Sequence, residues 1–162
     1  MAYLLDANIF IQAKNFHYGF DFHPGFWEWL DNAHAAGTVC SVEKVGDELI
    51  AGADELATWA QNRPASFFLE PDAQIVPSLQ ATSAWATAGG YEPAAVATFL
   101  QVADYYLVAQ AHAQGHVVVT HETVGHSTKR IKIPNACLGM TVRCINPFEM
   151  LRAERVRFIN AP

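Results

Sequence analysis

Four short apolar runs constrain this chain more than any other feature in it. YLL at residues 3–5, TVCS at 38–41, HVVVT at 116–120 and TVRCIN at 141–146 are β-branched or apolar, and longer helical patterns separate them. Strands spaced by helices cannot pair as tight hairpins, so they must cross over into a parallel sheet covered by helices. The expected class is α/β. At 162 residues with 51% hydrophobic content, the chain can bury one ordinary core without staples, so a single domain over residues 1–162 is expected. The first run ends in an acid: Asp6 stands where YLL leaves the sheet, and a carboxylate there is useful or costly.

The helices between the runs carry their own punctuation. Pro24 ahead of GFWEWLDNAHAA, with Gly37 beyond it, marks a helix with proline in its first turn and glycine past its end. Ser41 is placed to cap the next helix, where Val42, Val45, Leu49 and Ala53 repeat at three and four residues and leave Glu48 at the edge of the buried stripe. DELATWAQNR, PSLQATSAWATAGG and AAVATFL form a helical middle third, with a turn at GGYEP. In the long helix that follows, Val102, Tyr105, Tyr106, Ala109 and Ala113 are the expected buried positions, Asp104 lies near its start, and Gly115 ends it. TVGHSTKRIKI is a polar, basic loop, after which Pro134 opens the short helix PNACLG.

Charge and cysteine usage narrow the function. A net charge of −6 argues against holding nucleic acid by general attraction, so any polyanionic substrate needs a local counter-charge. Cys40, Cys137 and Cys144 are odd in number and form no CxxC pair, so they read as buried thiols in a reducing compartment. The apolar runs fall short of a membrane span and the N-terminus lacks the regions of a signal peptide, so no membrane and a cytoplasmic location are expected.

Four acids fall where a parallel sheet gathers its ligands. Open α/β sheets bind at the carboxyl ends of their strands. Asp6 follows the first run, Glu122 follows HVVVT, Glu48 lies in the helix after TVCS, and Asp104 lies in the helix before HVVV. Two carboxylates about 4 Å apart at an effective dielectric of 20 repel by on the order of 4 kcal/mol. Such a cluster is tenable chiefly around a divalent cation, and an all-oxygen donor set suits Mg²⁺ or Mn²⁺. Glu43 and Asp47 are the alternatives to Glu48, ranked lower because their helical phase sets them further from Val45 and Leu49.

The order LLDANIF, SVEKVGDEL, ADYYLVAQA, VVVTHE resembles a PIN domain, the nuclease fold of many bacterial toxin ribonucleases and RNA-processing enzymes. FHPGFWEWL, ADYYLVAQA, VVTHE and IPNACLGM resemble a poorly characterised PIN-like subgroup, DUF4411, over nearly the whole chain. The resemblance implies a three-layer fold around a parallel sheet of about four to five strands. It also implies a metal-dependent ribonuclease using Mg²⁺ or Mn²⁺, with Asp6, Glu48, Asp104 and Glu122 as catalytic and metal-binding residues. Where the PIN pattern usually reads T-x-D, this chain has Thr120, His121, Glu122, a departure that gives the last acid one more methylene and opens a role through water. Asn8 and Thr120 match supporting polar positions. Lys129, Arg130 and Lys132 are candidate phosphate contacts. RNA as substrate, a cognate antitoxin protein and a homodimer are the partners that the resemblance implies, and a PIN-like binding or scaffold module without catalysis is the alternative.

Other chemistries fit less well. A helical HxxxH from His112 and His116 could bind zinc, but Gly115 interrupts it, and His121 and His126 bring no thiolate pair. A haloacid-dehalogenase-type phosphatase needs a second aspartate where this chain has Asn8, and no GxxxxGK phosphate loop is present. The aromatic run FHYGFDFHPGFWEWL reads first as packing through Phe26, Trp27 and Leu30, and second as a stacking or docking surface.

Overall fold

A computed structural model describes residues 1–160. Five strands form one all-parallel sheet in the order β3-β2-β1-β4-β5: β1 Tyr3–Leu5, β2 Val39–Val42, β3 Phe68–Leu69, β4 Val117–Val119 and β5 Cys144–Ile145. The α/β class follows directly. Tyr3 and Leu4 pair with Val39 and Cys40 on one side, while Tyr3, Leu4 and Leu5 pair with Val117, Val118 and Val119 on the other. All residues of β1, β2 and β4 are buried, as expected of strands covered on both faces. β3 is absent from the sequence reading because two residues show no period.

Helices flank the sheet: α1 Ala7–Gln12, α2 Pro24–Ala35, α3 Glu43–Ala51, α4 Glu55–Gln61, α5 Val76–Ala88, α6 Pro93–Phe99, α7 Ala103–Gln114, α8 Ile133–Gly139 and α9 Pro147–Ala153. A π-helical turn, Ala13–His17, prolongs α1. Proline opens α2 and Gly37 follows it at φ 77°, a left-handed conformation that glycine takes without strain. Phe26, Trp27 and Leu30 are buried, so that part of the aromatic run serves packing, whereas Phe16 and Phe22 are exposed. Among the described residues no helix is long and apolar enough to cross a membrane.

Two local expectations need correction. Ser41 does not cap α3: it is the third residue of β2, and its Oγ donates to the Leu5 carbonyl at 2.6 Å, leaving Val42 at the cap position and Ala53 outside the helix. The stripe expected on α7 is met in full only at Ala109. Leu107, Val108, Ala109 and Ala111 are buried, whereas Val102 and Ala113 are exposed and Tyr105 and Tyr106 only partly covered. α7 packs against both the sheet and α5, so it buries more than one side and no single stripe describes it.

Candidate active site

Strand order creates the site. From β1 the chain steps outward to β2 and β3, and later inserts β4 on the opposite side, so the connections diverge between β1 and β4. That divergence opens a crevice at the carboxyl ends of the two strands, the usual ligand position in open parallel sheets. Asp6 stands directly after β1 and Thr120 directly after β4. Thr120 Oγ1 donates to Asp6 Oδ2 at 2.9 Å, and Asp6 N–H donates to the Val119 carbonyl at 3.0 Å, so the strand ends hold the carboxylate in place.

The crevice widens into a pocket of about 500 Å³ lined by Asp6, Glu48, Asp104 and Glu122. Asp6 is 4% exposed although it carries an acid, and neither it nor Asp104 makes an ion pair among the described residues. Burial raises the Asp6 carboxyl to about 6; the Thr120 hydrogen bond opposes the rise, and the charges of Glu122 and Glu48 add to it. Burial raises Asp104 to about 7, reinforced by the charges of Asp6, Glu122 and Glu48 and opposed by Arg130. Partial burial also raises Glu48. Glu48 lines the pocket and Glu43 and Asp47 do not, in keeping with the phase of Val45 and Leu49 on α3.

Glu122 is differently employed. Arg130 donates to its Oε1 at 2.6 Å, and the Ile133 N–H that opens α8 donates to its Oε2 at 3.0 Å. Its own N–H donates to Thr120 Oγ1 at 3.1 Å. Both oxygens are therefore engaged by protein, and the side chain fastens the exit of β4 to the start of α8. Asn8 lies in the pocket wall and is exposed; the bond that holds Asp6 comes from Thr120. Lys129 and Arg130 reach the pocket rim, whereas Lys132 Nζ donates to the Thr123 carbonyl at 3.1 Å and braces the loop.

The opposite wall was not legible in the sequence. Ala95, Thr98, Phe99 and Val102, from α6 and the turn into α7, close the pocket. The Glu92 N–H donates to the Thr128 carbonyl at 2.9 Å, which ties α6 to the basic loop over the crevice. Side chains without ionisable groups in a short helix give no signal beyond packing.

The donor set suits a hard divalent cation by chemistry: carboxylate oxygens only, with Asp6 buried and Asp104 half-buried, neither of them in an ion pair among the described residues. Among the described residues no three His, Cys, Asp or Glu side chains stand in a preformed metal-holding arrangement, so a cation would have to draw the acids together. The HxxxH reading fails, since Gly115 ends α7 at φ 66°, His112 Nδ1 pairs with Ser78 Oγ at 2.8 Å, and His116 Nδ1 accepts from the Ala2 N–H at 3.0 Å.

No curated protein and no solved structure matches the chain. Residues 3–158 match the family described as Domain of unknown function (DUF4411), and the chain belongs to that family.

Proposed function

We propose that this DUF4411 protein is a metal-dependent ribonuclease of the PIN-like kind, hydrolysing RNA phosphodiester bonds at the pocket between β1 and β4. One observation carries the reading: acids from four distant parts of the chain line a single pocket, and two of them, Asp6 and Asp104, are raised to about 6 and about 7, first by burial and then by the neighbouring acids. A fold keeps such mutual repulsion where function uses it, and strongly shifted carboxylates in a cleft are candidates for catalytic groups.

Asp6, Asp104 and Glu48 are the residues that would hold Mg²⁺ or Mn²⁺. When bound, such an ion supplies an activated water and charge stabilisation at the scissile phosphate. Thr120 fixes the orientation of Asp6 through its hydrogen bond. Lys129 and Arg130 at the rim provide the counter-charge that a protein of net charge −6 otherwise lacks. Glu122 keeps Arg130 at that rim and anchors α8, acting on the pocket by position rather than from a free carboxylate. The apolar wall from α6 limits water around the acids and sharpens their electrostatics. By the resemblance to PIN toxins, a cognate antitoxin and a homodimeric assembly belong to the same proposal.

The test is cleavage of total bacterial RNA by the purified protein with Mn²⁺ or Mg²⁺, beside Asp6→Asn, Asp104→Asn and an EDTA control. Discrete fragments are expected, reduced roughly 10²–10³-fold in rate by either substitution, the size of effect seen when a charge-stabilising group is removed. Thermal unfolding gives a second readout: Mn²⁺ at 100 times its dissociation constant stabilises by about 2.7 kcal/mol, and the two variants lose that gain. Intact RNA together with no Mn²⁺ shift would leave a binding module that uses the pocket without catalysis.

A further inference from the structure

Beyond the edge of the sheet lies a second cavity that the carboxylate chemistry does not use. It encloses about 650 Å³ beside β5, between α8 and the start of α9. Cys137 of α8 and Cys144 of β5 both line it. Cys137 is 0% exposed and Cys144 is partly exposed. The turn that joins them doubles the chain back on the end of α8: Val142 N–H donates to the Cys137 carbonyl at 2.8 Å, and Thr141 adopts a φ of 56° to make the reversal. Helix α8 packs on β5, and the two thiols act on one another, an interaction that lowers Cys144 and, with burial, raises Cys137.

Two buried thiols are ordinarily small hydrophobes. Here the pair is asymmetric, Cys144 partly exposed and Cys137 fully buried in the wall of the same cavity, which is the arrangement of an oxidisable thiol beside a resolving one. We propose that Cys144 and Cys137 form a reversible intramolecular disulfide, with Cys144 reacting with a hydroperoxide that enters the cavity and Cys137 resolving the product. Cys144 Sγ, as thiolate, attacks a peroxide oxygen; the O–O bond breaks, hydroxide leaves, and Cys144 becomes a sulfenic acid. Cys137 Sγ then attacks the Cys144 sulfur, the S–O bond breaks, and the hydroxyl leaves as water with the Cys137 proton. Two thiols and one hydrogen peroxide thus give a disulfide and two waters, and a reducing thiol such as glutathione reverses the bond by exchange. The bond locks α8 to the sheet edge beside Glu122, whose side chain anchors α8 and lines both cavities. Cys40 is the internal control, since it lies buried in β2 and burial pushes its thiol up to about 11.

The experiment needs no nuclease activity, so its outcome is separable from that of the proposed hydrolysis. The full-length reduced protein is treated with hydrogen peroxide while folded, then denatured and its free thiols alkylated and mapped by mass spectrometry. The expected result is loss of two of the three free thiols. A single linked species carries Cys137 and Cys144, lighter than the reduced chain by two hydrogens, and Cys40 remains alkylated. Cys137→Ser should accumulate Cys144 sulfenic acid, trapped by dimedone, and Cys144→Ser should abolish both the linkage and the trapping. Three intact thiols, a linkage through Cys40 or between chains, or Cys144 sulfinic acid formed without the disulfide would each overturn the proposal.

Discussion

The short helix α1 touches two regions of opposite character. At its start Asp6 enters the carboxylate pocket, and within the same helix Phe10 enters an aromatic cluster. Phe10 lies 5.6 Å from Trp59 and 6.2 Å from Phe67 between ring centroids, and Trp59 packs edge-on against Phe67 at 5.4 Å and against Trp27 at 5.0 Å. These tilted and edge-to-face contacts gain from both area and geometry. The pocket gathers like charges that the cluster would exclude. One side of α1 therefore stabilises the fold, and the other imposes a cost that the first offsets.

The pocket should reveal that cost through pH. In the unfolded chain Asp6 and Asp104 titrate near 3.8, whereas folded they hold their protons to about 6 and about 7. Below the unfolded value both states are protonated and nothing is lost. As pH climbs from about 4 to about 7 the folded state binds more protons than the unfolded one, so stability falls across that window. At about 1.4 kcal/mol per pH unit for each group, the loss for the pair is on the order of 7 kcal/mol. Urea midpoints measured across the window check this, with the Asp6→Asn/Asp104→Asn double variant expected to flatten the slope. A slope identical in that variant would place the pH dependence elsewhere.

Phe67→Ala sharpens the contrast from the other side. Phe67 is 0% exposed, and its removal should cost about 3–5 kcal/mol in urea unfolding while leaving any Mn²⁺-induced stabilisation in place. Gly139→Ala tests the packing of α8 against α5, because a methyl group there would run into the indole of Trp85 on α5. A loss of about 1–3 kcal/mol is expected in the unfolding midpoint. Thr120→Val should have the smallest effect on stability, about 1 kcal/mol, because it removes one hydroxyl that donates to Asp6 and accepts from the Glu122 N–H. A proton titration of Asp6 by NMR should move further upward in that variant, which a purely structural threonine would not cause.

Residues 3–5, 39–40, 117–119 and 144–145 were legible as strands because apolar runs bounded by turn signals leave little else for them to be, while Ser41 and Val42 were read as the start of α3. The α2 helix was legible from Pro24 and Gly37, and Glu48 from its phase beside Val45 and Leu49. β3 escaped because two residues carry no period, and the phase of α7 failed because that helix is covered on more than one side.

The sequence by itself determined the α/β class, the succession of acids along the chain and the places where Asp6 and Thr120 leave their strands. Those properties are local: they depend on runs of a few residues and on the ends of the elements they form. Tertiary structure alone decided that β4 inserts beside β1, which brings Thr120 onto Asp6, and that both oxygens of Glu122 are taken by Arg130 and the Ile133 N–H. It also decided that Lys132 braces a loop while Arg130 meets the pocket, and that Cys137 and Cys144 line one cavity. Such pairings depend on distances between segments far apart in the chain or on the exact path of a turn, and no hydrophobic period encodes either.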